Sequence, residues 1–203
     1  MFFISKEKHC ESYIGVTFGT VDYSQTSLLE DTAASSAELV GIDITSTSKT
    51  ESGSGNKFFY GYRFTPAIAV EFSYSDLGKI NSSGSGSGGG IDLEYLSPVE
   101  LSSVSAAVVF QANLTDTIKP FAKVGVNRWD MDGEFQVTAS AVGGSGSSAV
   151  SLNDSGSDVL YGVGFDVSVL ESLALRVEYE RFDIDSDLVK DASMFAAGLS
   201  YTF

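Results

Sequence analysis

The chain has very little of what an enzyme active site or a metal centre usually requires. Its 203 residues include one cysteine, one histidine and three prolines. A single cysteine excludes an internal disulfide framework and a cysteine-rich zinc site. A single histidine, His9 beside Cys10, leaves almost nothing for histidine-based catalysis. We therefore predict that the protein is not an enzyme and has no catalytic residue, cofactor or metal site.

Basic residues and long apolar runs are also scarce. Twelve lysines and arginines stand against 27 acidic residues, giving a net charge of −15. A nucleic-acid surface needs a basic stripe that neutralises phosphates, so we expect no nucleic-acid partner. No segment approaches the roughly 18 consecutive apolar residues that a membrane helix needs.

Strict two-residue alternation of apolar with small or polar residues runs through most of the chain and predicts β-strands. The candidate strands are longer than the roughly five or six residues that are usual for a strand in a soluble protein. There are eight of them, at 12–23, 57–65, 67–77, 100–112, 118–132, 158–169, 172–183 and 191–203.

The connections between these strands alternate in length. Those at 65–66, 113–117 and 170–172 are tight, whereas 24–56, 78–99 and 133–157 are long and rich in Ser, Gly and Asp. Short turns at one end and long loops at the other are typical of an up-and-down antiparallel barrel. We predict an all-β fold, an eight-stranded transmembrane β-barrel over 12–203, after a poorly defined N-terminal segment at 1–11.

The bulk of the side chains on each face indicates which solvent surrounds the barrel. In "YGVGFDVSV" (161–169) one face carries aromatic and branched side chains and the other only Gly162, Gly164, Asp166 and Ser168. The last strand, "MFAAGLSYTF" (194–203), shows the same contrast. An eight-stranded interior is only just wide enough for side chains, so the bulky faces would overfill it. A lipid-facing surface has no such limit, and a closed barrel pairs every backbone group in hydrocarbon. The alternation therefore favours a membrane barrel over a soluble ligand-carrying one.

The inward faces then hold charged residues near the middle of their strands. These candidate site residues are Arg63, Glu71, Lys123, Asp166, Arg176, Glu178 and Glu180. Our hypothesis is that they form a salt-bridged network that fills the lumen, because buried ions persist only when paired. The alternative is that each is separately solvated in a wet interior. Glu178 and Glu180 also suggest a glycosidase pair, but a packed lumen offers no cleft for a substrate.

Four stretches resemble the transmembrane domain of the outer membrane protein A family, the small eight-stranded barrels of Gram-negative bacteria. They are "GYRFTPAIAVEFSYSDLG" (61–78), "KPFAKVGVNRWDMD" (119–132), "LRVEYERF" (175–182) and "GLSYTF" (198–203). The resemblance implies that Glu71, Lys123, Asp166, Arg176 and Glu178 belong to a lumen network described in that family as a gate. A further interior lysine of the family falls at Val109, so identical gating is not implied.

The resemblance also implies a bacterial outer-membrane location, with outer-membrane lipid and lipopolysaccharide as surroundings. A terminal aromatic, here Phe203, resembles the signal read by the barrel assembly machinery. We expect a monomer with a structural or surface-interaction role. The alternatives are a narrow, low-conductance pore and a barrel enzyme acting on lipopolysaccharide, for which the only histidine lies outside the barrel.

Overall fold

The computed structural model describes residues 10–25, Ser35, Glu38 and 41–203. The described chain forms nine strands, joined in antiparallel pairs. They are β1 (Glu11–Gln25), β2 (Asp43–Lys49), β3 (Ser52–Thr65), β4 (Ile68–Gly88), β5 (Ile91–Gln111), β6 (Ile118–Ala141), β7 (Gly144–Ser168), β8 (Leu173–Asp183) and β9 (Val189–Thr202). Most of the predicted N-terminal segment, residues 1–9, lies outside the described residues. Among the described residues, no helix is long and apolar enough to cross a membrane.

Eight of these strands close into a barrel, which confirms the predicted fold. Hydrogen bonding follows the order β4–β3–β1–β9–β8–β7–β6–β5, and pairing of β4 with β5 closes the ring. Each of the eight predicted strands is present, with β1 and β9 paired in register from Tyr13↔Thr202 onwards. The terminal strand is therefore not a free edge but the element that closes the ring against β1.

The predicted long loops at 78–99 and 133–157 are wrong. β4 and β5 continue to a turn at Gly89 and Gly90, and β6 and β7 continue to a turn at Val142 and Gly143. Gly89 and Gly90 have φ of 59° and 82°, the left-handed backbone that a tight hairpin turn requires. Ser and Gly have weak strand propensity, but cross-strand pairing with long neighbours outweighs it here.

The ninth strand, β2, lies within the segment 24–56 that was predicted as a loop. It pairs with the upper part of β4, from Asp43↔Ser87 to Lys49↔Ser82. β2 and β3 follow each other down the same side of β4, separated only by Thr50 and Glu51. β2 and β3 therefore act as one interrupted strand. β2 and the upper parts of β4, β5, β6 and β7 form a sheet that extends beyond the rest of the barrel, called the rising sheet below.

The two faces of the barrel wall are as different as the alternation predicted. Large apolar side chains point outward and remain exposed, among them Phe18 at 62%, Phe72 at 54%, Val163 at 57% and Phe195 at 57%. On the terminal strand Leu199, Tyr201 and Phe203 are exposed as well, while Met194 and Ala196 are buried. The result is a continuous apolar belt that ends, toward the rising sheet, at polar residues such as Asp76, Glu100 and Asp130.

The interior holds more aromatic side chains than the sequence indicated. Tyr13, Phe59, Phe121, Trp129 and Phe182 are all buried inside the barrel. They fit because glycines on neighbouring strands leave them room. A Cβ on Gly61 would lie 1.9 Å from the Tyr13 ring, and one on Gly156 would lie 2.4 Å from the Trp129 ring. Glycine thus provides lumen volume at these positions.

Candidate functional site

The charged residues of the lumen meet at one level of the barrel. Seven side chains from β3, β4, β6, β7 and β8 are in contact, and each of these residues is at most 5% exposed. This lumen cluster consists of Lys57, Glu71, Lys123, Asp166, Arg176, Glu178 and Glu180. Charges buried this deeply are tolerated only if neighbouring charges and hydrogen bonds satisfy them.

Arg176 bridges two carboxylates on the side of the cluster that faces the tight turns of the barrel. Its Nε and Nη2 donate to the two oxygens of Asp166 at 2.8 and 3.0 Å, and its Nη1 donates to Glu71 Oε2 at 2.6 Å. The guanidinium also lies over the rings of Phe59 and Phe121, with its carbon 4.4 and 4.6 Å from their centroids. Planar arginine suits both the forked hydrogen bonds and the stacking, so its orientation is fixed from all sides.

Two lysines share the remaining carboxylates. Lys123 Nζ lies 3.2 Å from Glu71, 2.8 Å from Glu178 and 2.5 Å from Glu180. Lys57 Nζ contacts Glu178 and lies 2.5 Å from Glu180. Because every acid except Asp166 contacts more than one cation, the cluster is a network and not a set of separate pairs. Glu178 and Glu180, the pair that suggested a glycosidase, are each 1% exposed, and both contact Lys57 and Lys123.

Arg63 lies away from this network, unlike the other candidate residues. It is near the end of β3 that leads into the tight β3–β4 turn, where Nη1 is 3.4 Å from Glu11 Oε2 and Nη2 donates to Gln111 Oε1 at 2.9 Å. Gln111 in turn donates to Asp166 at 3.0 Å. The Arg63 guanidinium also lies 5.4 Å from the centroid of the Tyr13 ring, and the Tyr13 hydroxyl donates to Glu71 at 3.3 Å. Arg63 therefore reaches the lumen cluster only through these two neighbours. With Glu11 and Lys119 it lines a polar vestibule of about 200 Å³ at the tight-turn end of the barrel.

Lys57 was missed by the sequence reasoning, although a signal for it existed. It stands two residues before Phe59, so the alternation that places Phe59 inward also places Lys57 inward. Val109, where the family resemblance puts a lysine, is 3% exposed and lies in an apolar group with Tyr13, Phe59 and Phe121. The third cation of the cluster therefore comes from β3 and not from β5.

A second, apolar layer closes the lumen on the other side of the cluster. Its side chains are almost completely buried and pack on one another across the barrel. They include Val21, Leu77, Leu101, Met131, Leu160, Phe182, Ile184, Val189 and Met194. The Trp129 Nε1–H donates to Asp158 at 2.7 Å, and Asp158 also accepts from the backbone N–H of Asp185 at 3.2 Å. The segment between β8 and β9 is thereby held over this layer.

The rising sheet is the largest feature outside the belt. From Asp132 to Ala141, β6 extends about 30 Å at the usual rise of a strand. Its described surface is mainly acidic, and Lys79 pairs with Glu100 at 2.5 Å. The acidic residues on the upper parts of β4 to β7 are Asp76, Asp92, Glu94, Glu100, Asp130, Asp132, Glu134, Asp154 and Asp158, whereas Lys79 and Arg128 are the only basic ones there.

Comparison with known proteins relates this architecture to one family. The family described as "Outer membrane protein beta-barrel domain" matches residues 5–203. A comparison with curated proteins found no match.

Solved structures of small barrels share the fold at low sequence identity. Ail, the attachment invasion locus protein of Yersinia pestis, is 16% identical over 96% of this chain and 99% of its own, with a TM-score of 0.50; it was solved with the heparin analogue sucrose octasulfate. Neisserial surface protein A is 12% identical over 95% and 97%, with a TM-score of 0.54. OprG of Pseudomonas aeruginosa is 16% identical over 97% of each chain, with a TM-score of 0.54.

Proposed function

Because the chain belongs to the outer membrane protein β-barrel domain family and lies in the bacterial outer membrane, we propose that it is a non-conducting barrel that presents its rising sheet as a binding surface outside the cell. The observation that carries this proposal is the division of the molecule into a filled lumen and a tall exposed sheet. A pore needs a continuous polar path, whereas here a charged layer and an apolar layer follow one another.

Planar-bilayer recording tests the non-conducting part of the proposal. The purified full chain is expected to give no single-channel steps, because an ion would have to displace paired charges and then cross the apolar layer. The matched comparison is Glu71→Gln, which weakens only the charged layer and is also expected to remain silent. Steady steps in the native chain that change in Glu71→Gln would replace this proposal with that of a narrow pore.

Labelling of intact cells tests the display of the sheet. A cysteine placed at Val142, the fully exposed tip of the β6–β7 hairpin, is expected to react with a membrane-impermeant maleimide. The native Cys10 is exposed at the opposite end of the barrel, just before β1, and provides an internal control that should react only after the outer membrane is opened. Reaction of Cys10 in intact cells without reaction at position 142 would reverse the orientation and remove the proposal.

The acidic charge of the rising sheet indicates which ligands it can attract. Ail was solved with a polyanion, sucrose octasulfate. An acidic surface repels such a ligand and attracts cations instead. A polyanion of this kind is therefore not the expected partner of this chain.

A further inference from the structure

β3 and β4 separate at one place on the outer surface of the barrel, at the upper limit of the apolar belt. Their pairing ends at Asn56↔Asp76, and β4 pairs with β2 only from Ser82 onwards. Between these points the register of β4 with β5 is irregular from Asp76 to Lys79, where Gly78 has a φ of 84°. A bulge of this kind bends its strand and interrupts the ladder, and the wall has a depression here.

This depression, called the outer pocket, has a volume of about 590 Å³. The side chains that border it are those of Phe18, Ser54, Asn56, Asp76, Lys79 and Glu100. Behind it, Tyr23 fills the space beside Gly53, where a Cβ would lie 2.7 Å from the Tyr23 hydroxyl. This hydroxyl donates to the carbonyl of Leu77 at 2.5 Å and closes the wall from within. Sites for small molecules usually measure about 300–1,000 Å³, so the outer pocket has room for a ring-sized group.

The polar side chains around the outer pocket offer both donors and acceptors. Asp76 accepts hydrogen bonds from the Asn56 amide at 3.3 Å and from the backbone N–H of Gly78 at 2.9 Å. Lys79 Nζ lies 2.5 Å from Glu100, and these two side chains are 67% and 63% exposed. A carboxylate has about four lone-pair sites and an ammonium group three N–H donors. Each charged group therefore has hydrogen-bonding capacity left for a ligand.

An aromatic ring forms the side of the outer pocket that faces the belt. Phe18 is 62% exposed and lies opposite Asn56 on the outward face of the wall. Beyond it, toward the middle of the belt, Val16, Phe58 and Tyr74 continue the exposed apolar surface. A ligand in the outer pocket thus meets polar groups on one side and hydrocarbon on the other. Such a ligand needs a polar ring joined to an apolar tail.

We infer that the outer pocket binds a sugar ring in the headgroup of lipopolysaccharide, with the attached acyl chains lying on the belt. The C–H face of a sugar is apolar and packs on an aromatic ring such as that of Phe18. Sugar hydroxyls both donate and accept, which suits a rim of carboxylates, an amide and an ammonium group. Lipopolysaccharide is the glycolipid of the outer leaflet, and it joins such a ring directly to acyl chains.

The charge of the rim favours a sugar over a bare phosphate headgroup. Asp76 and Glu100 place two carboxylates on the outer pocket, whereas the ammonium group of Lys79 already pairs with Glu100. An anion without hydroxyls would be repelled there, whereas a hydroxyl donates to a carboxylate. The inference rests on the proposed orientation, because only a rising sheet outside the cell places the outer pocket in the outer leaflet.

Native mass spectrometry of the full chain, in a detergent without sugar, tests the choice of headgroup. The titrated probes are lipopolysaccharide truncated to its innermost sugars, the same lipid without its phosphates, and phosphatidylglycerol. The two sugar-containing probes should bind within about threefold of each other, and phosphatidylglycerol at least about tenfold more weakly, since it lacks the sugar's hydrogen bonds to charged groups. Equal binding of phosphatidylglycerol, or a loss of about tenfold on removal of the phosphates, would overturn the inference, because the outer pocket would then recognise charge.

Two matched pairs of variants locate the site. Ser54→Trp fills the outer pocket from its exposed rim and should weaken binding of the phosphate-free lipid about tenfold. Ser157→Trp, on the exposed outward face of β7, should leave the affinity unchanged. Phe18→Leu removes the ring and should weaken binding about fivefold, whereas Phe72→Leu, also exposed in the belt, should not. An equal effect within either pair would mean that lipid adheres to the belt in general and would overturn the inference.

The full chain would still give silent bilayers and labelling at position 142 if it failed to bind these lipids, so the inference can fail while the proposed function stands. Labelling of Cys10 alone in intact cells would instead remove the proposed function. It would also place the outer pocket in the inner leaflet, away from lipopolysaccharide, and remove the inference with it.

Discussion

Replacing Arg176 by methionine is expected to lower the free energy of unfolding by about 3–5 kcal/mol, the usual cost of removing one partner from a buried ion network. Arg176 supplies three hydrogen bonds to Glu71 and Asp166 and is 2% exposed. Methionine can remain between Phe59 and Phe121, so packing is largely retained. Glu71 keeps Lys123 at 3.2 Å, but Asp166 is left with the amide of Gln111. Urea titration of the barrel folded into lipid vesicles measures the loss.

Arg181 provides the matched control on the same strand. Its side chain is 38% exposed and lies 2.9 Å from Asp191 and 3.6 Å from Asp183. Because solvent reaches Arg181 and Asp191 keeps the hydroxyl of Ser24 at 3.1 Å, Arg181→Met should cost only about 1 kcal/mol. Adding Asp166→Asn to Arg176→Met should recover part of the loss, since the orphaned carboxylate is then neutral. A loss below about 1 kcal/mol for Arg176→Met would mean that the lumen charges are solvated independently.

The alternation of the sequence predicts which face a residue occupies, but not how deep it lies in the barrel. Arg63 and Lys57 illustrate this difference between face and depth. Each lies on the inward face of β3, as the period of two requires, yet Arg63 sits at the vestibule and Lys57 within the cluster. Depth depends on the register between strands, such as Lys57↔Ser75 and Arg63↔Ala69, and register is set by pairing across the whole ring.

The length of the strands in the rising sheet was also not predicted from the sequence. Residues 144–157 consist mostly of Ser and Gly, which have no bulky face to alternate and therefore read as a loop. Their strand conformation comes from pairing with β6, whose Phe135 and Val137 retain a visible pattern. By contrast, "VLYGVGFDVS" at 159–168 alternates clearly because both lipid and lumen constrain it. The part of the chain that contacts two different environments is the part that the sequence predicts well.

Placing arginine at Val163 is expected to destabilise the folded barrel in lipid vesicles by about 2–4 kcal/mol, the cost of a basic residue at the middle of a lipid-facing strand. Val163 is 57% exposed and lies on the outward face of β7 between Tyr161 and Phe165. Its cross-strand neighbours, Ala122 and Tyr179, are also outward. No carboxylate of the described residues lies beside it on that face, so the guanidinium would have to reach the interface or draw water into the hydrocarbon.

Ser155→Arg tests whether this cost arises from the surrounding solvent and not from the strand. Ser155 lies on the same outward face of β7, about 26 Å nearer the hairpin tip, and is exposed opposite Asp130. There an arginine faces water and an acid, so the change should stay within about 0.5 kcal/mol. In a barrel surrounded by water, both positions would tolerate arginine equally. Equal tolerance would therefore refute the lipid-facing assignment of the belt, whereas a difference of about 2 kcal/mol or more places its upper boundary between Val163 and Ser155.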